Sequence, residues 1–328
     1  MRRGYSRPRL DNLCHTLVGA ALGEAGLGRH KPLATATLLV GANLPDVDGF
    51  TYAFLDGPTS LAFRRGWTHG ILAMAVLPVA LAAAMVAWDR AVRRRRRKEK
   101  IPARFRALLL PAFAAVLSHP LLDFLNTYGV RFLYPFSKRW FYGDALFIVD
   151  PWVWIALAAG IAFSRALASS DRPHPERPAR ASLAAVVAYI AAMLISSAAG
   201  RGLVGRAARE AGVPAGRTMI SPVPMDPFRR LVVLEVPGGY RLGVLRWLYR
   251  ERVALDRGTL PRNDQDPRAA AAAESRDGRK FLVWARFPYF EIRREGEDAL
   301  VSLRDARYPG SWASVTVAVP APLLRSPP

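Results

Sequence analysis

Residues 71–88 read ILAMAVLPVALAAAMVAW, eighteen positions without a single charge. At a helical rise of 1.5 Å per residue such a run spans roughly 27 Å, close to the ~30 Å hydrocarbon core of a bilayer. A water-soluble helix keeps a polar face, and this segment has none, so it reads as a membrane span. Five residues later an unbroken basic run begins, positions 93–98. The chain carries 47 basic and 26 acidic residues, a net charge of +21, which raises nucleic-acid binding as an alternative. Arginines concentrated between two apolar stretches are explained more simply by membrane topology and anionic headgroups, so no nucleic-acid partner is expected. A hydrophobic fraction of 51% excludes a disordered chain. The single cysteine, Cys14, excludes a disulfide scaffold and a Cys-rich zinc site. Any metal site must therefore be built from His, Asp and Glu.

Three further segments are apolar and long enough to cross: 107–125, 145–167 and 182–200. Two weaker ones precede them, 13–28, which carries Glu24, and 33–44, which at about 18 Å is short enough to be partial or re-entrant. The basic start (Arg2, Arg3, Arg7, Arg9) resembles a signal-peptide n-region, but no small-residue cleavage site precedes Glu24, so the first segment is expected to remain. Beyond residue 200 spans disappear. Segments 231–236 and 240–247 read as strands around Pro237-Gly238-Gly239, and 281–287, 289–293, 299–303 and 312–319 read as further strands. The polar, Ala-rich stretch 261–280 reads as a loop or irregular helix. The expected fold class is mainly α: a polytopic membrane helical bundle of four to six spans over residues 1–200, and a C-terminal β-rich soluble domain over 201–328.

Loop 89–106 holds ten basic and two acidic residues, which places it in the cytoplasm. Its neighbours follow: 71–88 runs inward, 107–125 outward, 145–167 inward and 182–200 outward, leaving the C-terminal domain outside. The turn Arg29-His30-Lys31 then lies inside if the early segments form a hairpin. The N-terminus falls outside, against the sign of its four arginines.

Ionisable groups in or beside a span are costly and mark functional sites. His15, Asp46, Asp48, His69, His119 and Asp123 interrupt apolar sequence, and the topology brings all six to one membrane face. His119 and Asp123 stand at i and i+4, on one face of a helix, where an imidazole and a carboxylate can share a metal ion or simply hydrogen-bond. Pro120 suits a helix start or a kink better than a regular interior. Asp46 and Asp48 close an apolar segment, where either alone reads as a turn or capping residue. His69 stands at a helix start beside Trp67, as an interfacial His would. Asp144 and Asp150 read as outer carboxylates or caps. Asn126, Thr127, Tyr128, Arg131, Lys138 and Arg139 could bind an anionic headgroup, although a solvated loop is the plainer reading. His30 and His174 fall in cytoplasmic loops and are left out of the site.

In order, the motifs are His15-Thr16 with Gly19, Gly41-Ala42-Asn43-Leu44-Pro45-Asp46-Val47-Asp48, Arg65-Gly66-Trp67-Thr68-His69, Ser118-His119-Pro120-Leu121-Leu122-Asp123, Thr127-Tyr128-Gly129 and Val149-Asp150-Pro151. Together they resemble the LexA-regulated, inner-membrane metal-dependent hydrolase family, over residues 11 to about 160. The order His, Asp, His, His-x-x-x-Asp is also similar to the zinc-dependent phospholipase C and single-strand nuclease superfamily, whose members hydrolyse phosphodiesters. That resemblance implies one metal held by an Asp of the 46/48 pair, His69, His119 and Asp123, with His15 assisting a second ion bridged by Asp123. The superfamily's later His and Glu ligands have no match here, which leaves one or two ions.

His and carboxylate ligands suit zinc, with manganese or iron as alternatives. A bound metal would activate water and polarise a phosphoryl oxygen, and the spare carboxylate of Asp46 or Asp48 would orient the water or act as base. The expected function is a membrane-bound metal-dependent hydrolase, a phosphoesterase of a lipid or lipid-linked substrate. Its site and C-terminal domain would lie on the extracytoplasmic side of the inner membrane. Two other readings use the same residues: a non-enzymatic membrane protein with a structural polar cluster and a β interaction domain, and a metal or proton transporter.

Overall fold

The computed structural model describes residues 11–29, 31–97, 101–250, 252–296, 298–308, 310 and 314–320. Arg2, Arg3, Arg7, Arg9, His30, Lys98 and Trp312 lie outside the described residues.

The first half is helical. Helix α1 (Asn12–Leu22) ends in a π-helical turn (Gly23–Leu27), and α2 (Ala34–Asn43) runs into a 3₁₀ turn (Leu44–Phe50). Short helices α3 (Thr51–Phe54) and α4 (Gly57–Phe63) follow, then α5 (Ile71–Trp88), the short α6 (Arg94–Arg97), α7 (Phe105–Leu125), α8 (Pro151–Ser169) and α9 (Arg177–Glu210). Four described helices are long and apolar enough to cross a membrane: the stretch Ile71–Arg93, α7, α8 and α9. Helices α1 and α2, of 11 and 10 residues, are shorter than a bilayer core. Large apolar side chains such as Val76 on α5, Ile155 and Phe163 on α8, and Val187 and Ile195 on α9 point outward, as lipid-facing positions do. Half of the apolar window of α7 is buried, against 28% for α5 and α8, so α7 is the central helix. It packs on α2 and α5, while α1 packs on α2 and α8.

Two glycines set these distances. A Cβ on Gly19 would stand 2.7 Å from the Leu38 carbonyl oxygen, and one on Gly41 would stand 2.9 Å from the Ala115 Cβ. Small residues allow close helix approach where no hydrophobic effect drives association. Pro120 and Pro111 both lie inside α7, which neither starts nor stops at them. Interior prolines are tolerated in membrane helices because neighbours re-satisfy the freed backbone. The span expected over 145–167 begins instead at Pro151, because the Asp150 carboxylate caps α8 by accepting the Trp152 and Val153 N–H groups at 3.1 and 3.4 Å.

The chain forms two compact units. One comprises 11–48 and 65–196. The other comprises 49–64 and the described residues from 197 onward. In the second, strands β1 (Thr218–Val223), β2 (Asp226–Val236), β3 (Gly239–Arg246), β4 (Val253–Leu255) and β5 (Leu260–Pro261) form an antiparallel sheet in the order β1-β2-β3-β4, with β5 also on β3. Helices α10 (Pro267–Glu274) and α11 (Arg276–Trp284) precede the antiparallel sheet β6 (Pro288–Glu295), β7 (Asp298–Asp305), β8 (Ser314–Val319). The strand expected over 281–287 is mostly helix: Ser275 caps α11 through the Gly278 N–H, and Phe281 and Trp284, three residues apart, bury one helical face. The stretch 261–280 is likewise more regular than expected, since Asp266 caps α10. Short helix α4 packs on α11, with the Asp56 carboxylate 3.6 Å from Arg276 and 3.7 Å from Lys280.

Candidate metal centre

Four helix ends of the first unit meet at one end of the bundle. His15 lies at the start of α1, Asp46 and Asp48 lie after α2, His69 precedes α5, and His119 and Asp123 lie in the last turns of α7. All six are buried. At the opposite end Arg29 pairs with Glu176 at 2.6 Å and Arg165 with Glu24 at 2.8 Å. Ala34, Val86 and Ala103 pack together there, which places the Arg-rich stretch after α5 at that same end.

Asp46, His69, His119 and Asp123 each offer a ligand atom within 4.8 Å of the others. His69 Nε2 stands 3.2 Å from Asp123 Oδ2, and His119 Nε2 stands 3.5 Å from the same oxygen and 3.7 Å from Asp46 Oδ1. Zinc–nitrogen and zinc–oxygen bonds near 2.1 Å in a tetrahedron put neighbouring ligands about 3.4 Å apart, so these spacings fit.

The protons on both imidazoles follow from their neighbours. His119 Nδ1 lies 2.7 Å from the carbonyl oxygen of Ala42, in the last turn of α2, where carbonyls lack intrahelical partners. A carbonyl only accepts, so Nδ1 carries the hydrogen, and in the neutral ring Nε2 presents a lone pair. Thr68 donates its hydroxyl hydrogen to Asp48 Oδ2 at 3.0 Å, and its oxygen lies 2.9 Å from His69 Nδ1. With that single hydrogen spent, the Thr68 oxygen accepts from His69 Nδ1, and in its neutral form His69 also presents Nε2 as a lone pair. Both nitrogens and Asp123 Oδ2 are buried without a hydrogen-bond partner among the described residues. Orienting a ligand His through its second nitrogen is how metal sites hold their imidazoles. The donor set fits a divalent cation.

The two aspartates separate in role. Asp46 faces His119, whereas Asp48 accepts the Arg65 backbone N–H at 2.8 Å and the Thr68 hydroxyl, with Oδ2 3.5 Å from His69 Nδ1. They stand two residues apart on a 3₁₀ turn of three residues per turn, so their side chains point to different neighbours. His15 stacks on His119 at 3.7 Å between ring centroids and sets Nε2 3.6 Å from Asp123 Oδ1, outside the four-atom set. It borders a cavity of about 30 Å³, roughly one water, lined also by Asp11, Arg65, Asp123 and Asp150. Burial pushes the Asp11 carboxyl up to about 6, against the pull of the Cys14 N–H it accepts.

Arg65 and Thr68 belong to the candidate site without having been singled out from the sequence, although both stand in the motif that supplies His69. Arg65 Nη2 bonds Asp123 Oδ1 at 2.6 Å, and Nη1 bonds Asn126 Oδ1 at 3.2 Å and the Gly129 carbonyl at 3.1 Å. Its guanidinium covers the Tyr128 ring at 4.5 Å, and its backbone sits at φ 52°, a region uncommon for a residue with a side chain. A lone arginine beside a span was the available signal. The solvated-loop reading fails for Asn126, Thr127, Tyr128 and Arg131, all buried, while Lys138 and Arg139 are exposed. Arg131 stacks between Tyr134 and Trp140, at 4.9 Å from each ring. Asp150 is the cap described above, Asp144 is buried, and His174 lies 3.5 Å from Glu176 at the far end.

A family model described as "YdjM inner membrane protein" matches residues 10–200, more than half of the chain. The chain belongs to the YdjM inner membrane protein family. Membership agrees with the inner-membrane resemblance carried by the motifs, and with the four apolar helices it makes this a multi-pass inner-membrane protein. The "Uncharacterized protein YfhP" of Bacillus subtilis (strain 168) is 27% identical over 161 residues, 47% of this chain and 46% of that protein. The chain thus spans about half the length of the curated relative it matches. No solved structure matches. These matches do not extend to the zinc phospholipase C and nuclease superfamily.

Proposed function

We propose that Asp46, His69, His119 and Asp123 bind a divalent metal ion, zinc before manganese or iron, and that the protein hydrolyses a phosphoester of an amphiphilic or lipid-linked substrate at the extracytoplasmic face of the inner membrane. The observation that carries this reading is the set of facing lone pairs: two imidazole nitrogens with fixed tautomers and two carboxylates, gathered within 4.8 Å and buried. Acceptors so placed repel one another unless a metal cation or shared protons lie among them, and the metal reading takes the first course. A metal held there supplies Lewis acidity, polarising a phosphoryl oxygen and making water acidic enough to ionise near neutral pH.

The chain's own groups divide the remaining work. Asp48 and Thr68 orient His69, the Ala42 carbonyl orients His119, and Arg65 holds Asp123 Oδ1 so that Oδ2 faces the cluster. The base expected from the Asp46–Asp48 pair is better supplied by His15, which borders the small cavity beside Asp123. If a second ion binds, His15 and Asp123 would hold it. The substrate class rests on the position of the cluster at one end of a membrane bundle and on the phosphodiesterase likeness of its motif order. The orientation rests on the Arg-rich opposite end, which the positive-inside rule places in the cytoplasm.

Arg65–Asp123 is also the pairing of a structural polar network, and this supports the non-enzymatic reading as the rival. Metal content by mass spectrometry on detergent-purified protein separates the two. The hydrolase reading expects about one or two equivalents of transition metal in the wild type. It expects none in folded His119→Ala/Asp123→Asn, followed by metal-dependent cleavage of phosphoester lipids. A wild type that takes up no stoichiometric zinc or manganese sinks the proposal.

A further inference from the structure

The β-rich unit exposes a cluster of large apolar side chains at one end of its first sheet. Met225 sits in the turn between β1 and β2, Phe228 lies at the start of β2, and Leu248 and Tyr249 lie in the turn after β3; they are 67%, 52%, 71% and 66% exposed. The backbone closes this end as one tip: Val223 pairs with Asp226, Trp247 N–H donates to the Phe228 carbonyl at 2.9 Å, and Arg246 N–H donates to the Arg252 carbonyl at 2.8 Å. Arg229, Arg246, Arg250 and Arg252 surround it, with Arg246 5.8 Å over the Tyr249 ring. The acidic residues of the same turns are Asp226 and, by sequence, Glu251.

The direction in which the tip points follows from α9. Ala208 packs with Leu234 and Val236, far from the tip. Val204, one turn earlier, packs with Ile220, Val232 and Leu245. Ser197, earlier still, accepts a 2.8 Å hydrogen bond from Arg230. Moving back along α9 therefore moves along β2 toward its start, and the tip lies beyond Arg230 in that direction. Positions 182–200 of α9 carry no charge, and Arg201 is the first charge after them. The tip therefore lies at the Ser197 end of this packing, the end at which the chain arrives from its uncharged stretch.

We propose that this tip docks into the interface of the bilayer that α9 crosses, with Phe228, Leu248, Tyr249 and Met225 at the headgroup–acyl boundary and the arginines on lipid phosphates. Aromatic and aliphatic side chains rimmed by arginine are the composition of membrane-interface anchors. An exposed apolar cluster of this kind on a water-facing domain would be a liability. Basic groups beside an anionic bilayer add attraction that falls off within a Debye length.

The test uses the full chain in nanodiscs containing phosphatidylglycerol, with an environment-sensitive fluorophore on Leu248→Cys and, separately, on Pro237→Cys. Pro237 is exposed at the opposite end of the β2–β3 hairpin, roughly 26 Å away along an eight-residue strand. Wild type, whose one cysteine is buried, controls for background labelling. Spin-labelled lipids carrying the quencher near the headgroup should quench the probe at 248 several-fold more than the probe at 237, and aqueous iodide should do the reverse. Equal lipid quenching at the two positions overturns the proposal. Protection of 248 from both quenchers also overturns it, in favour of a covering protein surface such as a second copy of this chain. Neither result bears on metal content, so this inference and the proposed hydrolase stand or fall separately.

Discussion

The molecule buries charge in two places, in opposite ways. In the β-rich unit, Asp305 and Arg307 are both inaccessible, and every demand is met. Asp305 Oδ1 accepts the Arg307 N–H and Nε at 2.9 and 3.0 Å, while Oδ2 accepts Arg286 N, Phe287 N and Arg307 Nη2 at 2.6, 3.3 and 2.9 Å. Arg307 also bonds the Trp284 carbonyl at 3.0 Å and lies 4.3 Å over the Trp284 ring. In the helical unit, Asp123 has one oxygen satisfied by Arg65 and turns the other toward the Nε2 atoms of two imidazoles, with no hydrogen bond to it among the described residues. Burial of charge is therefore common to both, and unmet demand is not. A buried pair with every lone pair used is architecture, whereas converging acceptors without protons between them ask for a ligand.

The contrast can be broken most decisively at the metal ligands. His69→Ala should remove stoichiometric metal and all metal-dependent turnover while the protein still inserts and folds, read by mass spectrometry and circular dichroism. Retention of the metal would show that the cluster is built like the Asp305 pair. The converse substitution, Asp305→Ala, should cost about 3–5 kcal/mol of stability by leaving Arg307 buried and uncompensated. It should leave metal content unchanged, with thermal denaturation as the readout. Between these lie the positioning residues. Asp48→Asn and Arg65→Lys should each weaken metal affinity by about 10–100-fold, the usual effect of disturbing groups that hold ligands, measured by competition with a chelator. An unchanged affinity would remove Asp48 and Arg65 from the site. The smallest effect is expected at the α11 cap, where Ser275→Ala should cost about 1 kcal/mol without touching the metal. A change in metal affinity there would contradict the separation of the two regions.

Much of this was legible beforehand where one-dimensional pattern carries the physics. An uncharged run of 18 residues can only be lipid-facing or deeply buried, so α5 was readable, and α7 and α9 nearly so. The end of the bundle that holds the cluster followed from charge alternation and span count. Other elements misled for identifiable reasons. Residues 281–287 mix aromatic and β-branched types that suit a strand, and only packing of Phe281 and Trp284 on one face favours the helix. Residues 145–150 look like the start of a span, but the Asp150 carboxylate can begin α8 only where it stands. Asn126, Thr127 and Tyr128 look like a solvated loop because polar composition reports nothing about neighbours contributed by residues 65 and 131.

By itself, the sequence determined membrane residence, the helical character of the first half and the β character of the second, and it singled out His15, Asp46, Asp48, His69, His119 and Asp123 as polar groups in apolar surroundings, because hydropathy and cost of burial are properties of residue type and spacing. Only the tertiary structure decided which of those six face one another, which imidazole nitrogens carry hydrogen, and that Asp48, Thr68 and Arg65 stand behind the donors. Those facts depend on atoms from distant segments, such as His15 and Asp123 or the Ala42 carbonyl and His119. A hydrogen bond is a relation between atoms at a distance and an angle, and no single stretch of chain contains it.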